Sequence, residues 1–326
     1  MVHALLKASG ESAAQGKMDE LCNFVEQSTE LDLPANVFVV LDTHAETDTG
    51  SLQYAGGRVN PAFAPASEVV RDYCGEVLIG TMHAANLSAQ NQGPAKNPKW
   101  FDDSAYFRGG WRGLFLATCG PAVRTVNGLT DARRLVERWA DSTAATAKRW
   151  MFCRDVFDIV LAFGGRATLP GEIRGLLSGI IEHLGVNKRA NIWDTVVQVV
   201  AQELDLLHVN SVVVVFRERG SGSVSCREIG LHSLPMRPWG VEFSACGTEG
   251  CRPKPYELHS HSSEGGVRTQ CRQCSWASEV VKHSDVAEYV SPFNRSVPNV
   301  YWHAYPTCTP LAAIFVTVTK QKLEGR

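Results

Sequence analysis

Four cysteines in the last third of this sequence have the residue type and spacing of a metal site. Four residues separate Cys246 from Cys251, two separate Cys271 from Cys274, and nineteen lie between the two pairs. Paired thiolates on two tight turns can close a tetrahedron around zinc. Because four thiolates leave no open coordination position, the predicted zinc is structural and not catalytic.

Other interpretations of the cysteine cluster stay open at the level of sequence. The cysteines could form two buried thiol pairs or a disulfide, and His259 or His261 could replace one of them as a ligand. Residues 217–282 contain nine Lys/Arg and seven Asp/Glu, so they lack the basic excess of a nucleic-acid-binding surface. We therefore expect structural zinc in a small zinc-ribbon-like β module that stabilises its own fold or binds a protein.

A histidine and a cysteine at the ends of two apolar segments form a second candidate site. "VFVVLDTH" ends in His44, and "GLFLATCG" reaches Cys119 at the same point of its own apolar run. Short apolar runs of this kind predict buried strands of a parallel sheet, and ligands bind just beyond the carboxyl ends of such strands. If the two strands are neighbours, the imidazole can take the thiol proton and later return it to a leaving group.

Strands and helices alternate along the first two-thirds of the chain. Apolar runs predict strands at residues 37–41, 114–117, 155–165 and 211–222, and amphipathic patterns predict helices at residues 1–30, 67–86, 129–143, 169–185 and 191–207. This alternation predicts an α/β fold with a mostly parallel sheet flanked by helices. The alternating segment "AAIFVTVTK" predicts a further strand at residues 312–320.

Changes in composition divide the chain into three predicted parts. Beyond about residue 240, Pro, Gly, Cys and His dominate and long helical patterns disappear. We expect an N-terminal helical segment at residues 1–34, an α/β domain at 35–240, and the four-cysteine module with carboxyl-terminal strands at 241–326.

The two strands that carry His44 and Cys119 resemble the caspase-like cysteine peptidases, including the CHAT branch. "VFVVLDTH" is similar to their His strand and "GLFLATCG" to their Cys strand, while "VFDIVLAFGGRATLPGEIRGLLSGIIEHLG" is similar to a later strand and helix of CHAT domains. The resemblance covers roughly residues 35–216. It implies a cysteine endopeptidase that cleaves a protein substrate through a thioester acyl-enzyme, with His44 as general base and Cys119 as nucleophile.

Two positions depart from the pattern of that family. The family has a glycine after the histidine, whose N–H helps to bind the oxyanion, whereas Ala45 follows His44 here. Metacaspases carry an aspartate two residues before the nucleophile to bind a basic substrate residue, and this position is Ala117. Two alternatives therefore stay open: a catalytically inactive caspase-like scaffold, and a zinc-stabilised interaction domain that binds protein or nucleic acid.

Composition excludes several classes of protein. The 326 residues are 44% hydrophobic and 20% charged with a net charge of −2, which is typical of a globular protein and gives no electrostatic attraction to nucleic acid or anionic membranes. No apolar run approaches the roughly 20 residues of a membrane helix, and the first residues lack the apolar core of a secretory signal. We expect a cytoplasmic, reducing location, a protein substrate or partner and no membrane, and nucleic acid is not the favoured partner.

Overall fold

The computed structural model describes most of the chain, and it divides the protein into two compact units. The units are Met1–Glu203 with Val214–Ser225, and Leu204–Val213 with Cys226–Arg326. The described residues are 11–31, 35–56, 59–74, 79–81, 110–119, 122–137, 156–164, 170–187, 189–218, 222–241, 246–253, 257–294, 296–306, 315–317 and 319. The predicted domain boundaries near residues 34 and 240 stay predictions.

The strands follow the predicted apolar runs and continue into the last third of the chain. They are β1 (Val37–His44), β2 (Leu52–Ala55), β3 (Ala62–Ala64), β4 (Arg112–Cys119), β5 (Ile159–Phe163), β6 (Val212–Arg217), β7 (Val224–Leu231), β8 (Leu258–Ser263), β9 (Gly266–Cys271), β10 (Val290–Asn294) and β11 (Val297–Ala304). Seven of these described strands form one sheet in the order β1-β4-β5-β6-β7-β11-β10.

The seven-stranded sheet is mixed and has a parallel core. β1 pairs in parallel with β4, and β4 in parallel with β5, whereas β11 pairs antiparallel with both β7 and β10. β2 with β3 and β8 with β9 form two small antiparallel sheets. The predicted α/β class with flanking helices is therefore confirmed, and the sheet predicted to be mostly parallel is a mixed sheet with a parallel core.

Seven helices are described, and side chains cap the first turns of the third and the fifth. The helices are α1 (Glu11–Glu30), α2 (residues 66–74, with helical residues again at 79–81), α3 (Val126–Val136), α4 (Pro170–Ile180) with a π-helical continuation (Ile181–Val186), α5 (Ile192–Val200), α6 (Leu206–Val209) and α7 (His283–Val286). In α5, for example, the Asn191 side chain accepts a hydrogen bond from the Asp194 N–H (3.2 Å). None of the helices in the described ranges is long and apolar enough to cross a bilayer.

The hydrophobic core of the sheet lies on its central strands. Every residue of β5 is buried, and Leu114, Phe115 and Leu116 of β4 expose 1% of their surface or less. Burial on both faces explains the continuous apolar runs of these strands, because a strand covered on one face only would alternate.

Two sequence-based expectations about strands are wrong. The predicted buried strand β1 lies at the edge of the sheet within the described part of the chain, and its Val40 is 47% exposed. The predicted strand at 312–320 is helical at residues 315–317, and residues 312–314, 318 and 320 lie outside the described ranges. Its helical turn is closed by Thr319, whose hydroxyl donates to the Phe315 carbonyl four residues earlier (2.7 Å).

Candidate functional site

The strands that carry His44 and Cys119 are direct neighbours. The parallel ladder of β1 and β4 runs in register from Val37 opposite Arg112 to His44 opposite Cys119. Neighbouring strands lie about 4.8 Å apart, so the two backbone positions are adjacent at the carboxyl edge of the sheet. For Cys119 the structure describes the backbone position, and the Gly-Pro that follows it lies outside the described residues.

The backbone on both sides of His44 is held by the small sheet that follows. Thr43 donates a hydrogen bond from its hydroxyl to the Gln53 carbonyl, and the buried Ala45 forms an antiparallel bridge with Leu52. The His44 side chain itself is exposed. An imidazole on an anchored backbone that still reaches solvent can exchange protons with a neighbouring group and with water.

The loop after β1 is closed by its own hydrogen bonds. The Glu46 N–H donates to the Ser51 carbonyl (2.8 Å), and the Gly50 N–H donates back to the Glu46 carbonyl (2.9 Å). The Thr49 hydroxyl lies 2.5 Å from the Glu46 carboxylate. The loop at residues 46–51, referred to below as the histidine loop, is therefore compact and not an open excursion.

One threonine joins the histidine loop to the segment after β4. The Thr125 hydroxyl caps α3 by accepting from the Gly128 N–H (3.1 Å), and it donates to the Thr49 carbonyl (2.6 Å). Further along α3, the buried Asp131 accepts from the backbone N–H (2.7 Å) and the hydroxyl (2.5 Å) of Ser67 in the first turn of α2. The chain segments that follow the two candidate strands are therefore linked by hydrogen bonds.

Residue 117, where metacaspases carry an aspartate, lies opposite a carboxylate on the neighbouring strand. Ala117 is buried, and its partner in the parallel ladder is the exposed Asp42. Asp42 and His44 lie two residues apart and therefore on the same side of β1. This edge of the sheet thus carries an exposed carboxylate and an exposed imidazole, while β4 supplies no acid at residue 117.

The four clustered cysteines have the geometry of a tetrahedral thiolate site. Their Sγ atoms all lie within 4.8 Å of one another, with 3.6 Å between Cys246 and Cys274 and 3.9 Å between Cys251 and Cys271. Zinc–sulfur bonds of about 2.3 Å in a tetrahedron place the sulfurs about 3.8 Å apart. A disulfide would need about 2.05 Å, so the open alternative of disulfides does not fit these two pairs.

Two tight turns bring the cysteines together. Cys271 ends β9, and Cys274 lies in the turn that follows, where the Cys271 N–H donates to the Trp276 carbonyl (2.8 Å). At the other pair, a Cβ on Gly247 would lie 2.5 Å from the Trp276 ring, so only glycine allows this close approach. The indole ring of Trp276 therefore packs directly against the first cysteine turn.

The surroundings of the four-cysteine cluster shift the pKa values of its thiols in opposite directions. A hydrogen bond with the Thr248 hydroxyl (3.2 Å) lowers the pKa of Cys274 to about 6. Desolvation, followed by hydrogen bonds with neighbouring cysteine thiols, raises the pKa of Cys251, and desolvation also raises the pKa of Cys246. Clustered thiolates repel one another unless a cation neutralises them, so a soft divalent metal suits this donor set.

The two histidines between the cysteine pairs are not brought to the cluster. His259 and His261 lie in β8, opposite Gln270 and Arg268 of β9. Within the described residues, the grouping of possible metal ligands here consists of the four cysteines alone. The alternative in which a histidine replaces a cysteine is therefore not supported.

Sequence reasoning missed Thr125. A threonine just before an amphipathic helix is a recognised capping signal, which could have revealed its bond to Gly128. No sequence signal predicts its second bond, to the carbonyl of Thr49, which is 76 residues earlier in the chain.

Comparison of this chain with protein-family models, with curated proteins and with solved structures finds no match. The residues and geometry of the two candidate sites are therefore the basis for assigning a function.

Proposed function

We propose that this chain is a caspase-like cysteine endopeptidase that uses a His44–Cys119 dyad and is stabilised by a structural zinc ion. The observation that carries the proposal is the register of β1 and β4, in which the Cα atoms of His44 and Cys119 are direct partners. The topology also supports it, because both residues end parallel strands at the carboxyl edge, where α/β sheets bind their ligands.

The proposed reaction has two steps. In the first, His44 takes the thiol proton of Cys119, the thiolate attacks the peptide carbonyl, and the proton passes to the leaving amine as the C–N bond breaks. In the second, His44 takes a proton from water, whose hydroxide attacks the thioester and releases the carboxylic acid and the thiol. The exposed imidazole of His44 suits both steps, because water must reach it in the second.

Zinc is the proposed metal of the four-cysteine cluster. The support is the all-sulfur donor set of Cys246, Cys251, Cys271 and Cys274 and their separations, which are close to those of a tetrahedral site. With four protein ligands the ion has no position for substrate, so its contribution is to fold stability.

Zinc affinity is expected to rise with pH. Metal binding requires thiolates, and the raised pKa values of Cys246 and Cys251 mean that these groups hold protons at neutral pH until the metal displaces them. Titration calorimetry in buffers of different ionisation enthalpy should therefore detect proton release on zinc binding. Equal apparent enthalpies in all buffers would contradict this expectation.

Replacing His44 with alanine is expected to make Cys119 less reactive at neutral pH. If the dyad exists, iodoacetamide alkylates Cys119 with a pH midpoint about one unit or more below the 8.5 of a free thiol, and His44→Ala returns the midpoint to that value. Site-resolved mass spectrometry measures both midpoints. Equal midpoints in wild type and His44→Ala would remove the basis for the peptidase.

Two controls accompany that measurement. Burial raises the pKa of Cys74 to about 12, so this thiol should react slowly in both proteins and reports any unfolding. His261 is exposed in β8, and His261→Ala removes an imidazole from a different place and should leave the Cys119 midpoint unchanged.

The second candidate function is a catalytically inactive scaffold of the same fold that binds a protein partner. The observation that favours it is the pair of departures at Ala45 and Ala117, both of which are buried in the structure. Cys119→Ala separates the candidates, because it abolishes peptide cleavage by an enzyme but leaves the protein contacts of a scaffold intact.

A further inference from the structure

Thr125 occupies a junction between the two chain segments that follow the candidate dyad. Its single hydroxyl proton is donated to the Thr49 carbonyl (2.6 Å), and its oxygen accepts from the Gly128 N–H (3.1 Å). The hydroxyl therefore uses its donor and one acceptor site at the same time. One contact belongs to the histidine loop and the other to the first turn of α3.

The ladder between β1 and β4 fixes the backbone positions of His44 and Cys119 and the face of the sheet to which each side chain belongs. Because the ladder ends at these two residues, the segments that follow help to hold their side chains in place. The histidine loop starts two residues after His44, and α3 starts seven residues after Cys119. The hydrogen bond from Thr125 is the direct tie between these two segments among the described contacts.

Helix α3, which Thr125 caps, is itself held to α2 by hydrogen bonds. Asp131, one and a half turns further along α3, is 6% exposed and holds both the N–H and the hydroxyl of Ser67 in α2. Charge-assisted hydrogen bonds of this kind are stronger than neutral ones. Helix α3 is therefore held in place. The histidine loop is the part that becomes more mobile when the hydrogen bond between Thr125 and Thr49 is lost.

We propose that Thr125 is a positioning residue that holds the histidine loop so that His44 faces Cys119. This inference rests on the proposed dyad. Without the Thr125 hydroxyl, the histidine loop moves relative to α3, the imidazole spends less time against the thiol, and a smaller fraction of Cys119 is thiolate at neutral pH.

Thr125→Val tests the inference, since valine keeps the side-chain shape and removes both hydrogen bonds. We expect Cys119 alkylation at pH 7 to slow by about threefold to tenfold, with a pH midpoint higher by about half a unit to one unit. Thr125→Ser keeps a hydroxyl that can make both bonds and should restore the wild-type midpoint. Site-resolved mass spectrometry of the full chain provides the measurement.

The effect of losing the α3 cap must be separated from the effect of losing the hydrogen bond between Thr125 and Thr49. Asn191→Ala is the matched control, because it removes the side-chain cap of α5, where Asn191 accepts from the Asp194 N–H (3.2 Å). Both variants lose one side-chain helix cap. Only Thr125→Val should shift the Cys119 midpoint.

The outcomes distinguish failure of the positioning role of Thr125 from failure of the proposed His44–Cys119 dyad. If His44→Ala raises the Cys119 midpoint and Thr125→Val does not, Thr125 is only a helix cap and the inference is overturned while the dyad stands. A shift of equal size in Asn191→Ala would also overturn it, by attributing the effect to general destabilisation. If His44→Ala has no effect, the dyad is refuted and the positioning role falls with it.

Discussion

Replacing Cys271 with serine is expected to abolish binding of the proposed zinc ion and to unfold the chain around the cysteine cluster. Cys271 is 2% exposed and belongs to a buried hydrophobic cluster with Trp239, Leu258 and Val267. The free energy of binding a structural zinc ion is on the order of 10–16 kcal/mol, which is folding free energy where the apo site does not hold its shape. No other single substitution considered for this protein has so large an expected effect.

The two readouts of this prediction are metal content and local protection. Elemental mass spectrometry should find one zinc ion per chain in wild type and almost none in Cys271→Ser. Amide hydrogen exchange should become faster in β9, which ends at Cys271, and in β8, which pairs with it. Retained zinc and unchanged exchange in Cys271→Ser would show that the cluster is a group of packed thiols and not a metal site.

Cys226→Ser is the matched control for the zinc experiment. Cys226 is also a buried cysteine of the second unit, at 8% exposure, but it is not one of the four clustered cysteines. The substitution makes the same chemical change at a comparable depth. Its zinc content should therefore equal that of wild type.

Replacing Asp158 with asparagine is expected to destabilise the first unit by about 3–5 kcal/mol, because it removes a negative charge that contacts the guanidinium groups of Arg112 and Arg217 in a largely buried site. Arg112 contacts both carboxylate oxygens, with Nη2 2.8 Å from Oδ1 and Nε 3.2 Å from Oδ2. Arg217 Nη1 lies 3.6 Å from Oδ1. The side chains of all three residues are at most 9% exposed.

The geometry of the network of Asp158, Arg112 and Arg217 explains why it is expected to contribute more to stability than an exposed ion pair. The Asp158 carboxylate also accepts the backbone N–H of Arg112 (3.0 Å), so one acid just before β5 contacts donors at the start of β4 and at the end of β6. Two-point contacts between a guanidinium and a carboxylate add directional hydrogen bonds to the charge attraction. Arg112 and Asp158 lie at the amino ends of β4 and β5, and Arg217 ends β6. Since Arg112 is at the opposite end of β4 from Cys119, the expected role of the three residues is stability alone.

The control is the exposed pair of Arg71 and Asp72, which has a similar separation of 3.0 Å but side chains 29% and 56% exposed. Asp72→Asn is expected to cost less than about 1 kcal/mol, because solvent screens the pair. Urea denaturation followed by tryptophan fluorescence compares both variants with wild type. If Asp158→Asn and Asp72→Asn lose similarly small amounts of unfolding free energy, the charge of Asp158 contributes little to stability.

Local sequence by itself determined several strands of the sheet and the composition of both candidate sites. The apolar runs at Leu114–Ala117 and Val212–Phe216 predicted strands of the sheet, because a strand covered on both faces must be apolar throughout. The spacing of Cys271 and Cys274 predicted a cysteine turn, since two residues between thiols suit one tight turn. Such features depend on neighbours in the chain, and neighbours are visible in a sequence.

Only the tertiary structure decided which elements meet. The pairing of β1 with β4, the edge position of β1 and the bond between Thr125 and Thr49 join residues far apart in the chain, and hydrophobic periodicity carries no information about such partners. The segment around Phe315 illustrates the same limit. Its alternating pattern predicted a strand, yet Phe315 is fully buried with its ring 5.9 Å from that of Trp239, and this packing holds it in a helical turn. Burial and hydrogen bonding over the whole chain outweigh a local preference of about 1 kcal/mol.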